Sequence, residues 1–186
     1  MENEIQQCLQ VLKSGGLILY PTDTVWGIGC DARNEAAVER IYKLKKRSDN
    51  KSMIVLLENE NQINKYVRHV PAVAWDIIEF SEQPLTIIFE QAGSVAPALL
   101  GDNNSLAIRI CKDAFCNRLI HKLGRPLVST SANISGQPTA NTFSKIDDVI
   151  KNGVDYIVKH RQNETSMKQP SKIISLKTNG EIKVIR

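Results

Sequence analysis

Short apolar runs separated by stretches of helical periodicity constrain this chain most. Leu17-Ile18-Leu19-Tyr20, Met53 to Leu57, Leu85 to Phe89, Leu106 to Ile110 and Leu127-Val128 are too short for buried helices and read as strands. Between them, Ile5, Leu9, Val11 and Leu12 repeat at helical spacing up to Gly15-Gly16. Residues 35 to 46 place Ala37, Val38, Ile41 and Leu44 on one face, with Asn34 as the expected cap and Glu39 four residues before Lys43. Helical character returns at Ala114 to Leu123 and Phe143 to Lys151. Tyr156 to Val158, Lys172 to Leu176 and Ile182 to Ile185 add strands, the last two forming a hairpin around Thr178-Asn179-Gly180. Irregular alternation of this kind predicts an α/β fold with a mixed sheet.

A chain of 186 residues, 42% hydrophobic, fits one domain over 1–186. The net charge of +4 attracts anions such as ATP or RNA without requiring either. Cys8, Cys30, Cys111 and Cys116 lie far apart, with no Cys-x-x-Cys and no histidine at ligand spacing, so they read as reduced packing residues and no metal site is expected. Met1-Glu2-Asn3-Glu4 has no basic region leading into an apolar run, and no stretch has the length of a membrane helix, which together predict a cytoplasmic protein.

Four polar segments carry candidate chemistry. Tyr20-Pro21-Thr22-Asp23-Thr24-Val25-Trp26-Gly27 runs from a strand end into hydroxyls and one acid, which suits a ligand site or an ordinary turn. Lys45-Lys46-Arg47 and Lys51 crowd four cations into seven residues, matching a phosphate chain or a solvated helix end. Ser105-Leu106-Ala107-Ile108-Arg109 alternates so that Arg109 shares a face with Ala107 and Ser105. A guanidinium there needs a substrate carboxylate or an internal partner such as Asp23. Ser129-Thr130-Ser131-Ala132-Asn133-Ile134-Ser135-Gly136-Gln137-Pro138-Thr139 follows a short strand with hydroxyls and an amide able to cradle phosphate or form a polar turn. No Walker loop and no Gly-x-Gly-x-x-Gly occurs. His160 to Gln169 is polar and aperiodic, the pattern of a mobile loop and a candidate lid.

In order, Tyr20 to Gly27, Lys45-x-Arg47, Ala107-Ile108-Arg109, Ser131-x-Asn133-x-Ser135-Gly136 and Pro170-Ser171 resemble the YrdC/Sua5 family of threonylcarbamoyl-AMP synthases over nearly the whole chain. The resemblance implies a YrdC-like fold, a twisted mixed sheet flanked by helices with a concave site, in a short form lacking an appended domain. It implies condensation of L-threonine, bicarbonate and ATP to threonylcarbamoyl-adenylate and pyrophosphate, with magnesium entering on ATP and the adenylate passing to a tRNA threonylcarbamoyl transferase complex. Carried over by position, Thr24, Arg109, Ser129 and Ser171 match threonine-binding residues, and Arg47, Lys51, Ser105, Ser131, Thr139 and Arg186 match ATP-binding residues. Lys45, Arg47, Ser131 and Asn133 are the expected catalytic set, with Lys45 and Arg47 on an exposed helix end. The chain departs from the family at Trp26, Ser48, Ser52, Leu56 and Lys172, which bear on substrate contacts more than on class. An RNA-binding paralogue wants clustered aromatics, whereas Phe, Trp and Tyr are 5% and scattered. A carbamoyl-transfer enzyme is the rival within enzymes.

Overall fold

The structure is a computed structural model, and residues 1–47, 53–165 and 169–186 are described. The chain order is α1 (Glu2–Lys13), β1 (Ile18–Tyr20), β2 (Gly27–Gly29), α2 (Glu35–Lys45), β3 (Ile54–Leu57), α3 (Val73–Glu79), β4 (Leu85–Phe89) and β5 (Leu106–Ile110). Then follow α4 (Ala114–Leu123), β6 (Leu127–Ser131), α5 (Asp148–Asn152), β7 (Tyr156–Ile157), β8 (Lys172–Leu176) and β9 (Ile182–Val184), with 3-10 turns between. Among the described residues the strands form one sheet ordered β7-β1-β2-β6-β3-β5-β4-β8-β9. The pairs β1/β7, β3/β5 and β4/β8 are parallel and the other five antiparallel, so the sheet is mixed as the alternation predicts.

Strand alternation sorts the core into two clusters. Leu19, Ile28, Val55, Leu57, Ile108 and Val128 join Ala37, Val38, Ile41 and Tyr42 of α2 on one face. Ile18, Tyr20, Leu56 and Leu127 point the other way, under α1 and α4. The caps follow the sequence: Asn34 accepts from Ala37 N–H at 3.0 Å, and Asp113 accepts from Cys116 N–H at 3.0 Å. The terminal hairpin closes through Gly180, whose φ of +86° only glycine adopts readily. No helix among the described residues is long and apolar enough to cross a membrane.

Three local expectations change. Phe143 to Lys151 is a 3-10 turn (Phe143–Lys145) followed by α5, because Asp147 caps a fresh helix through Val149 N–H at 2.8 Å. The strand at Leu127-Val128 extends to Ser131. β2, with two glycines in three residues, gave no strand signal. Its glycines lie on the α1/α4 face, where a Cβ on Gly29 would sit 2.7 Å from both the Tyr20 ring and the Val128 carbonyl oxygen. They clear space for Tyr20, whose hydroxyl donates to that carbonyl at 3.2 Å.

Candidate active site

The helices α1 and α4 cover only part of their face of the sheet. Beyond them β5 and β6 present Arg109 and Ser129 from opposite sides of β3, where Leu56 pairs with Arg109 and Ile54 with Ser129. This uncovered half floors a cavity of about 160 Å³ lined by Thr24, Arg47, Arg109, Ser129, Ser131, Thr139, Ser171 and Arg186, with Trp26, Met53, Ile54 and Ile173 as apolar wall. The volume equals roughly five waters, taking about 30 Å³ for each. That suits a ligand the size of a small amino acid. A larger cavity, about 520 Å³, opens on the opposite face between α3 and the β4/β5 floor of Ile87, Phe89, Ile108 and Ile110. It holds none of the candidate residues.

Arg109 is 3% exposed. Its Nη2 lies 3.2 Å from Asp23 Oδ1, so the internal partner considered from sequence is present. Yet Nε and Nη2 of Arg109 and Oδ1 of Asp23 make no aligned hydrogen bond, so the two groups attract without satisfying each other. Buried N–H donors in this condition are costly unless a ligand meets them. A carboxylate is the group whose geometry matches a guanidinium fork. Ser171 shares this pocket through its Oγ, 2.8 Å from the Thr86 hydroxyl, and Arg186 reaches over it by donating from Nη2 to the Ser171 carbonyl at 3.1 Å.

α2 ends with Lys46 in the left-handed region at φ 50°, an uncommon conformation for a residue with a Cβ. That turn separates its neighbours. Arg47 lines the cavity, whereas Lys45 is 1% exposed and its Nζ donates to the carbonyls of Ser131 and Asn133, each at 2.5 Å. The expectation of an exposed Lys45 is therefore corrected. Its ammonium is committed to clamping the loop after β6, and desolvation, reinforced by Arg47, pulls its pKa down to about 7. Ser135 N–H donates back to the Lys45 carbonyl at 2.9 Å, doubling the tie. Asn133 donates through Nδ2 to the carbonyls of Ile134 and Gln137 at 3.0 and 2.8 Å, which orients the amide and leaves Oδ1 buried without a partner. Asn133 and Lys45 lie outside the cavity-lining residues, shaping the loop behind Ser131, which does line the cavity.

The remaining candidates divide. Ser105 immediately precedes β5, outside the cavity-lining residues. Lys51 lies outside the described residues, as do Ser48 and Ser52. Leu56 is fully buried in the α1/α4 core and Lys172 is exposed, while Trp26 lines the cavity with its ring 4.9 Å from Phe143. The mobile-loop expectation for His160 to Gln169 meets an anchored Arg161, ion-paired to Asp113 at 2.7 Å, and residues 166–168 lie outside the described residues. Sequence reading missed Thr86 and Arg161. Thr86 had a signal, since alternation pairs it with Arg109 across β4 and β5; Arg161 had none.

The family description Sua5/YciO/YrdC, "Telomere recombination", matches residues 10–186. The chain belongs to the Sua5/YciO/YrdC family. Threonylcarbamoyl-AMP synthase of Nitrosococcus oceani is 34% identical over 155 residues, 83% of this chain and 84% of the relative. The protein of that name from Photobacterium profundum is 30% identical over 175 residues, 90% and 94% of the two chains. Among solved structures, P. abyssi Sua5 complexed with L-threonine superposes with a TM-score of 0.89 at 26% identity, covering all (100%) of this chain and 54% of that one. This chain therefore spans about half the length of that Sua5. E. coli YciO, at 24% identity and TM-score 0.86 over 100% and 89% of the chains, shares the fold.

Proposed function

We propose that this protein is an L-threonylcarbamoyladenylate synthase, a nucleotidyltransferase that makes threonylcarbamoyl-AMP and pyrophosphate from L-threonine, bicarbonate and ATP. The observation that carries the reading is the buried Arg109 guanidinium with unmet donors, at a cavity of amino-acid size that Arg47 and Arg186 also line. The names of the relatives and the threonine-bound Sua5 support the substrate.

In this reading Arg109 takes the threonine carboxylate, while Thr24, Ser129 and Ser171 surround the rest of the amino acid. The threonine amine adds to bicarbonate, giving a carbamate and water. A carbamate oxygen then attacks the α-phosphorus, and pyrophosphate leaves as the bond to the bridging oxygen breaks. No protein nucleophile is required, so rate enhancement comes from positioning and charge stabilisation. Arg47, Arg186 and Thr139 face the nucleotide, with Lys51 assigned there from sequence. Magnesium would arrive with ATP, and the Ser131 hydroxyl, which lines the cavity, and the buried Asn133 Oδ1 are the neutral oxygens that would meet a hard cation or its waters. Lys45 holds both in place. The adenylate then passes, in the cytoplasm, to a complex that transfers the threonylcarbamoyl group to tRNA.

Purified protein incubated with ATP, magnesium, bicarbonate and L-threonine is expected to release pyrophosphate only when all are present. Threonine-independent release, or none, sinks the proposal.

A further inference from the structure

Arg161 adopts φ +67°, and its side chain is only 14% exposed despite lying in a polar segment. It donates from Nη1 to Asp113 Oδ2 at 2.7 Å, from Nε to Glu164 Oε1 at 2.7 Å and from Nη2 to the Thr22 carbonyl at 3.3 Å. Asp113 is held independently as the cap of α4. One guanidinium thus fastens the segment after β7 to α4 and to the turn that enters the candidate site.

Thr22 passes that restraint on. It is 2% exposed, and its Oγ1 donates to the Val25 carbonyl at 2.8 Å and accepts from Thr24 N–H at 3.0 Å. The Thr24 hydroxyl lies 3.0 Å from the same Thr22 oxygen. A hydroxyl has one proton, and that of Thr22 is spent on Val25. Thr24 must therefore donate to Thr22, which leaves only acceptor lone pairs on Thr24 Oγ1 for the cavity it lines.

We infer that Arg161 is a positioning residue that acts through Thr22 to present the Thr24 hydroxyl as an obligate acceptor, selecting an amino acid that offers an N–H or O–H donor there. The inference rests on an amino acid occupying the cavity, as proposed above. Arg161 touches no reacting atom. It sets one wall of the amino-acid half and leaves the nucleotide half alone.

The test compares full-length wild type with Arg161→Ala, Arg161→Lys and Thr22→Val. Arg161→Ala and Thr22→Val are expected to raise the L-threonine KM about tenfold, leaving the ATP KM and kcat within about twofold, and Arg161→Lys to recover part of the loss. Without substrates, amide hydrogen exchange at residues 22–25 should quicken in both damaging variants. Threonine and ATP KM values rising together, or an unchanged threonine KM, would overturn the inference. If wild type shows no threonine-dependent turnover, the functional reading fails, and exchange at 22–25 with L-threonine calorimetry still decides the role of Arg161. Unchanged exchange and affinity in Arg161→Ala refute it.

Discussion

Lys45 holds an ammonium where solvent does not reach, and its two carbonyl partners explain why a lysine is tolerated there. Its pKa falls from 10.5 to about 7 on folding, so between those values the unfolded chain binds the proton that the native protein has lost. Unfolding free energy therefore rises with pH across this window, by up to about 1.4 kcal/mol per unit, and the burial penalty is fully present below it. A neutral amine keeps two N–H donors, so both carbonyls remain satisfied when the proton leaves. Burial holds the Cys8, Cys30 and Cys116 thiols and the Tyr20 phenol above their ordinary values, which lowers stability once the unfolded chain starts to lose those protons, so the window to read is pH 7 to about 8.5. There denaturant melts should show the rise in wild type and a flatter line in Lys45→Met; parallel lines would refute the assignment. Sequence made Lys45 and Arg47 look alike because both sit in one basic run. The left-handed turn at Lys46, which sends one inward and the other to the cavity, follows from tertiary packing. Arg109 was legible because period-two alternation alone puts it with Ala107 and Ser105.

Among the elements, strands with an uninterrupted apolar run were readable and those built for clearance were not. β3, β4 and β5 announce themselves by composition, whereas β2 exists because β1 and β6 flank it and its glycines admit the Tyr20 ring. Similarly, α3 and the 3-10 turn at Glu60–Lys65 carry too short a pattern for periodicity to emerge. Gly29→Ala provides the test of clearance. The new methyl meets a backbone carbonyl and a ring locked by its own hydrogen bond, and neither can retreat cheaply. A loss of about 1–3 kcal/mol is expected in denaturant unfolding. Alanine at Gly93, whose Cβ would meet nothing within 4 Å, serves as the control. Equal stabilities for the two variants would remove the packing explanation for β2.

For the whole molecule, the ordered motifs pointed to the family but not to the arrangement of its site, because no pattern along the chain reveals which part of a sheet face its helices leave bare. Here α1 and α4 roof Tyr20, Leu56 and Leu127, and the cavity occupies the neighbouring stretch over Arg109 and Ser129. Arg47, Arg109 and Arg186 line it, and Asp23 lies 3.2 Å from Arg109. A ligand that binds this native cavity and not the unfolded chain stabilises the entire fold. At a hundred times its Kd, L-threonine adds about 2.7 kcal/mol, which for a domain of this size raises Tm by roughly 5–11 °C. Magnesium-ATP should act likewise. Serine lacks one methyl, worth about 1–3 kcal/mol of discrimination in a fitted pocket, so at equal concentration its shift should be distinctly smaller. Thermal melts with each amino acid check this, and equal shifts would mean that the cavity reads a carboxylate and an amine without reading the threonine side chain.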